Sequence, residues 1–353
     1  MLRFLLLLIT FSLSARPIET FYGVVDVTEP VLLELIDSKA VQRLKSIHQY
    51  GVAYYTTHRE EYTRYDHSLG VFHLLRASGC PLKEQIAGLL HDVSHTVFSH
   101  VGDHIFQVAH KETDYQNSIH EDFLNATDIG AILRKYGLSP KELLPVEHFF
   151  PALEQPRPNL CADRLEYNIQ GAYHQKFITK QEALEIFNDC HFIDGNWIAT
   201  KPDLMEKLVR FSLFMTEDCF GGATNHLSST WLAEAILKGL ELHLITSEEV
   251  HYGTDEAVWQ KLSSSSNPFI HSRMNLIHKT KETYTFVKRD EADIYVKTKF
   301  WGFDPLIHHN GALVRLTSMR PLLAKEYQTV KDRIAEGFSI KLLTDVNASQ
   351  KAS

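Results

Sequence analysis

The chain is short of cationic excess, cysteine and long apolar runs, and each shortage removes a class of protein. Among its 353 residues, 36 Lys and Arg face 44 Asp and Glu, for a net charge of −8. That balance excludes a molecule-wide cationic surface for gripping nucleic-acid backbones, while leaving a local basic pocket open. The 4 cysteines, Cys80, Cys161, Cys190 and Cys219, form no C-x-x-C arrangement. They allow three pairings but read more easily as small buried apolar residues than as a metal cage. Past residue 15 no segment is apolar enough to span a bilayer, which takes about 20 such residues. No internal repeat is visible. With 44% hydrophobic and 23% charged residues, the class is globular rather than disordered or collagen-like.

The first residues, MLRFLLLLITFSLSA, carry an arginine, an apolar run from Phe4 to Leu13 and then small residues. This is the layout of a secretory signal peptide, 1–15, with a mature chain starting near Arg16. The alternatives to it are an amphipathic or buried N-terminal helix, or an upstream start codon that is not used. Export follows if the leader is used, a cytoplasmic location if it is not. Asn125-Ala126-Thr127 and Asn347-Ala348-Ser349 fit the short glycosylation acceptor pattern.

What the chain has in excess is histidine. There are 20, and nine of them (His58, His67, His73, His91, His95, His100, His104, His110 and His120) fall between residues 58 and 120. Histidine is the commonest metal ligand and titrates near neutrality, so a local excess is a chemical signal, although solvated surface histidines are the bland reading.

Periodicity makes the chain mainly α. Tyr22–Val27 reads as a strand and turn. Helical patterns follow around Val31–Ile36, Val41–Ile47, Ser68–Leu75 and Leu82–Val93, then over 118–136, 160–171, 181–188, 203–215, 228–243 and 321–336. The stretch from Tyr54 to Glu61 looks like a polar loop. Alternation at Ile294–Phe300 predicts a half-exposed strand, with 283–287 and 313–317 as its expected partners. We therefore expect a helical core over 16–200, a helical extension with a small β element over 201–346, and a polar tail over 347–353.

His91 and Asp92 stand near the end of one helical pattern, His95 follows four residues after His91, His67 opens the preceding helix, and Asp163 comes about 70 residues later. Rings four apart on a helix share a side. Two imidazoles and two carboxylates offer mixed nitrogen and oxygen ligation to a divalent first-row metal, with positions left for water.

With its flanks, Arg64-Tyr65-Asp66-His67-Ser68-Leu69-Gly70-Val71, then Ile86-Ala87-Gly88-Leu89-Leu90-His91-Asp92, His95 and Phe98-Ser99-His100, this constellation resembles the HD-domain phosphohydrolases. The branch it resembles most contains the deoxynucleoside triphosphate triphosphohydrolases and the sterile-alpha-motif/HD-domain protein. The likeness is dense from Leu35 to His104, continues through His120-Glu121 and Asp163–Tyr167, and echoes weakly at Phe303-Asp304-Pro305. It implies a helical HD fold and one divalent metal ion (Mn, Fe, Zn, Co or Mg) held by His67, His91, Asp92 and Asp163. His120 would be a proton donor to the leaving oxygen, oriented by Asp103 and Glu121, while His95 and His100 would stabilise phosphate charge. Gln49 and Tyr50 match a Gln-Leu pair that reads the deoxyribose, Tyr167 matches a sugar-stacking tyrosine, and Arg164 stands where a phosphate-binding lysine is common. Arg64 reads equally as a phosphate ligand and as a structural ion pair.

Departures from the family pattern bear on the substrate. Ser94, Thr96 and Val97 replace small residues. Tyr50 is bulkier than leucine, and Phe214–Gly222 is acidic at Glu217-Asp218 where an arginine-rich helix start is usual. The implied activity is hydrolysis of a small phosphorylated substrate, a nucleotide foremost, by a chain without a strong nucleic-acid signal and with a homo-oligomer left open. The competing readings are a catalytically silent binding or effector module on the same scaffold, and a binuclear site with His95, His100 and His120 on a second metal.

Overall fold

A computed structural model of the chain describes residues 15–57, 60, 62–106, 114–146 and 148–343. The expected leader, apart from Ala15, and the polar tail lie outside the described residues, as do His58 and His110. The described chain is mainly helical, as its periodicity predicts. It opens with an antiparallel hairpin, β1 (Arg16–Thr20) and β2 (Gly23–Val27). Helices α1 (Pro30–Asp37) and α2 (Lys39–Arg43) follow. Pro30 sits in the first turn of α1, where a missing N–H costs nothing, and Val31, Leu32, Leu35 and Ile36 form its buried stripe.

The polar stretch after Gly51 is not wholly a loop: Val52–Thr57 is helix α3. Aromatic packing overrides the local pattern there. Tyr55 stacks on Trp259 at 3.9 Å and Tyr54 on His48 at 3.6 Å. Helix α4 (Arg64–Ala77) begins four residues earlier than the apolar period suggests. Thr63 and Asp66 close a capping box, with Asp66 Oδ2 accepting from the Thr63 backbone N–H at 3.0 Å. The early start puts Arg64 and His67 on the buried first turns of α4.

Helix α5 (Leu82–Leu90) lies against α4 and ends before the His91-Asp92 pair. The two pack closely because Gly88 has no side chain; a Cβ there would stand 2.3 Å from Leu75 Cδ1. After α6 (Val101–Ile105), the predicted helix over 118–136 is two helices, α7 (Tyr115–Ala126) and α8 (Asp128–Lys135). They break at extended Thr127, where Asp128 turns to cap α2 by accepting from the Lys39 N–H at 2.6 Å. Helix α9 (Ala162–His174) packs on α4, and the contact requires Gly70, whose Cβ would fall 2.1 Å from Glu166 Oε1.

Helix α10 (Lys180–Asp189) leads into a hairpin the sequence reading did not anticipate, β3 (His191–Ile193) and β4 (Asn196–Ala199). Helix α11 (Pro202–Phe214) runs on as a π-helical turn, Met215–Phe220, a form that often marks functional sites. Then come α12 (Ala223–Glu241), α13 (Ser247–Tyr252), α14 (Asp255–Ser263) and α15 (Pro268–His278).

The C-terminal strands are β5 (Tyr284–Phe286), β6 (Ile294–Val296), β7 (Leu306–His309), β8 (Ala312–Arg315) and, after α16 (Leu316–Met319) and α17 (Pro321–Glu336), β9 (Phe338–Leu342). Their pairing differs from the expectation. β5 and β6 do not pair with each other; both flank β9. β8 belongs to another sheet, in the order β3-β4-β7-β8, with β4 and β7 parallel. Pairing of this kind is set by partners far along the chain, which alternation within one segment cannot reveal.

Candidate metal centre

Helices α4 and α9 and the turn after α5 bring His67, His91, Asp92 and Asp163 together. His67 Nε2 lies 3.1 Å from His91 Nε2 and 3.0 Å from Asp163 Oδ1. Asp163 Oδ1 is 3.5 Å from His91 Nε2. Asp92 stands slightly farther out, 3.6 Å from each imidazole. The closest-knit set among the described residues is thus His67, His91 and Asp163.

The second ring nitrogen of each histidine decides what faces the centre. His91 Nδ1 donates to the Gly88 carbonyl at 2.7 Å, and His67 Nδ1 donates to Glu166 Oε2 at 2.5 Å. With both protons spent there, both Nε2 lone pairs turn inward. In neutral rings so held, two lone pairs and two carboxylates converge, an arrangement that repels itself unless a proton or a cation sits inside. The donor set fits a divalent metal ion of the nitrogen- and oxygen-binding kind. Without a cation the site is relieved by a proton: burial disfavours charge on His67, but donation to the Asp163 and Glu166 carboxylates outweighs it and raises its pKa to about 10, so a bound metal would take that proton's place. Burial likewise opposes ionisation of Asp92, yet Arg64 and the neighbouring histidines hold its carboxyl well below the usual range.

The remaining residues singled out in the sequence fall into two groups. Some are turned inward onto the protein. Arg64, buried, pairs with Asp92 and gives its Nε–H to Ser99 Oγ at 2.7 Å, so of its two readings the geometry has the ion pair. Arg164 is bonded to the carbonyls of Asn159 and Gln155. His95 is not beside His91 on one helix, because α5 has ended; its Nε2–H points to Asp92 Oδ1 at 3.2 Å. Burial and Arg64 push the His95 pKa down to about 3, so the ring is neutral. Tyr50 is buried.

Others have different partners, or buried polar atoms without one. Asp103 does not reach His120. It accepts from His100 Nδ1 at 3.0 Å and from the Tyr115 N–H at 2.7 Å, and Glu121 is exposed on α7. His120 is instead oriented by Ser94, whose Oγ lies 2.7 Å from its Nδ1, and its buried Nε2 has no partner. Burial and the neighbouring His91 bring its pKa down to about 4. Gln49 Oε1 and the Tyr167 hydroxyl are also buried without partners, with the Tyr167 ring 6.5 Å from His67.

Three residues at the centre received no role from the sequence. Glu166 lies three residues after Asp163 on α9, a spacing that shares a helix face and could have revealed it. Ser94 stood out only as a departure from the family pattern. Glu154 clusters with Cys161 and Asp163; burial and Asp163 raise its pKa to about 7. No motif marks it, since it comes from the irregular segment before α9. All four cysteines are buried, and none is in a disulfide among the described residues.

Residues 64–161 match the HD domain family model, which ends two residues short of Asp163. The chain is 33% identical over 317 residues to the uncharacterized protein YdhJ of Bacillus subtilis, covering 89% of this chain and 95% of that one. It is 40% identical over 168 residues to the metal-dependent phosphohydrolase cns2 of Cordyceps militaris, 48% of each chain. The match to human deoxynucleoside triphosphate triphosphohydrolase SAMHD1 is 35% over 137 residues, 32% of this chain and 21% of that protein. In fold it is similar to a phosphohydrolase structure from Bacteroides thetaiotaomicron, with a TM-score of 0.67 at 14% identity over 93% of this chain and 99% of the other.

Proposed function

Taking as premise that the chain belongs to the HD-domain metal-dependent phosphohydrolase superfamily, we propose that it hydrolyses a phosphoester of a small phosphorylated molecule, a nucleotide foremost, at the His67–His91–Asp92–Asp163 centre. One observation carries the reading. Both metal-facing imidazoles are locked by a second acceptor so that their lone pairs converge with two carboxylates. These four residues would hold a divalent ion, which would supply Lewis acidity toward water and a phosphoryl oxygen.

The chain's own residues do the rest. Arg64 fixes Asp92 in place. His120, oriented by Ser94, keeps a buried Nε2 without a partner. It is neutral when the site is empty, and a phosphate anion beside it favours its protonated form, which suits proton delivery to a leaving oxygen. Tyr167 offers a ring and a free hydroxyl next to His67, in support of a sugar-bearing substrate. The likeness to nucleotide hydrolases points the same way over about a third of the chain.

The test is a substrate screen of metal-loaded residues 16–353 against deoxynucleotides, phosphomonoesters and phosphodiesters, with metal content measured on the same sample. Turnover that disappears in His91→Ala together with the bound metal is the expected result. A metal-loaded chain that cleaves none of the panel overturns the proposal.

A further inference from the structure

Of the two arginines the sequence offers for phosphate, Arg64 is paired with Asp92 and Ser99, and Arg164 gives both terminal nitrogens to backbone carbonyls, leaving its Nε without a partner. The acidic step at Glu217 is also accounted for, since Glu217 pairs with Arg333 at 2.8 Å. What then meets the negative charge of a substrate? The answer lies in a segment no motif marks. Trp301 stands at the rim of the metal centre, its ring 6.5 Å from His100 and 5.6 Å from Phe220. His100 leads inward through His95, 5.0 Å away, and Phe220 leads inward through Tyr167, 6.4 Å away. An arc of rings thus runs from one side of the metal centre to the other, with Trp301 at its outermost point.

Two cations stack on that indole. Arg157 Cζ lies 4.6 Å and Lys299 Nζ 5.2 Å from the ring centroid, within the range of a cation–π contact. Among the described residues no carboxylate pairs with either, and Arg157 Nε is buried without a hydrogen-bond partner. The positive field of Arg157 reaches Glu154 and Tyr167 at the centre. Its position is held by stitching between two distant segments. The Asp304 N–H donates to the Pro158 carbonyl at 2.9 Å, and Arg315 donates to Asn159 Oδ1 at 2.5 Å.

We propose that Arg157 and Lys299, held on Trp301, form an anion subsite at the mouth of the metal centre that takes a second phosphate-like group of the substrate, separate from the phosphoester being cleaved. This rests on the phosphohydrolase reading, and it narrows the substrate to a molecule with at least two anionic groups. Guanidinium and ammonium groups without counter-charges recognise phosphate oxygens through charge-assisted hydrogen bonds, and here both stack on the same indole.

Binding of inorganic pyrophosphate to the metal-loaded protein, followed by tryptophan fluorescence, tests this, with circular dichroism and metal content as controls on folding. The signal should vanish in Trp301→Phe. Arg157→Gln and Lys299→Gln should each weaken binding about tenfold or more, the scale of one hydrogen bond to a charged group, while Arg157→Lys keeps most of it. Equal affinity in the wild type and both glutamine variants, or a signal that survives Trp301→Phe, overturns the subsite. Pyrophosphate binding that depends on Arg157 and Lys299 in a protein that cleaves no phosphoester upholds the subsite and removes the hydrolase reading.

Discussion

His67 gives its Nδ1 proton to Glu166 Oε2 across 2.5 Å, and that contact decides which ring nitrogen faces the metal centre. Glu166 is itself held by the Tyr22 hydroxyl at 3.2 Å and the Gln170 amide at 2.5 Å. Outer carboxylates of this kind typically change metal affinity by about 10–100-fold when removed. Glu166→Gln should therefore fold, yet lose metal to a competing chelator at concentrations the wild type resists. Metal analysis after dialysis against a chelator series checks this; identical retention would show that Glu166 does not tune the centre.

Arg64 and Asp92 are a buried ion pair. Removing one partner leaves an uncompensated buried charge, a loss of about 3 kcal/mol or more. Arg64→Met should lower the stability of the metal-stripped protein by that order, and less when metal is present to neutralise Asp92. Denaturant melts with and without chelator read the difference. A loss of the same size in both conditions contradicts it.

Ser94 reaches His120 and not the metal-facing residues. Ser94→Ala should reduce kcat with metal content unchanged, and His120→Asn should reduce it by about 10²–10⁴-fold, the usual worth of a positioned acid or base. If either variant instead loses its metal, the division between metal centre and proton-handling group is wrong.

Asp255, fully buried, accepts from the backbone N–H groups of Phe98 at 2.6 Å and His48 at 2.9 Å. Burial nevertheless dominates and raises its pKa from 3.8 to about 6. The folded state thus binds this proton more tightly than the unfolded chain. Its contribution to stability is full below about pH 4 and declines as pH rises through 6. Relative to Asp255→Asn, the wild type should lose stability between pH 4 and pH 7, as unfolding curves at several pH values would record; a constant gap rules it out.

Burial pushes the Cys80 and Cys161 thiols up to about 12, and that of Cys190 is raised for the same reason. Thiolate is the reactive form. The native protein should react with essentially no thiol reagent, and the denatured, unreduced protein with all four cysteines. Fewer than four after denaturation would mean a disulfide.

Much of the centre was legible in the letters. His67, His91, Asp92 and Asp163 stand in ordered blocks whose residue types already specify nitrogen and oxygen ligation. Helix α17 matches its predicted span of 321–336, because a single apolar stripe determines it. Asp103 was a different matter. Its neighbour by sequence logic was His120, and its neighbour in space is His100, three residues before it, because α6 turns both side chains to the same side. The α3 helix and strand β9 were missed for a related reason, since Trp259 and the two flanking strands that stabilise them lie far along the chain.

By itself, then, the sequence determined the inventory of the site: helical supports at the right period, and the imidazoles and carboxylates that a divalent metal requires. Tertiary structure alone decided how that inventory is used. Which nitrogen of His67 faces inward depends on a residue 99 positions away, and the occupation of Arg64 by Asp92 depends on one 28 positions away. The cations proposed for a substrate, Arg157 and Lys299, meet on Trp301 because hydrogen bonds from Asp304 and Arg315 to Pro158 and Asn159 join two distant segments. Residue type sets what a group can do, and the long-range contacts that hold it set what it is still free to do.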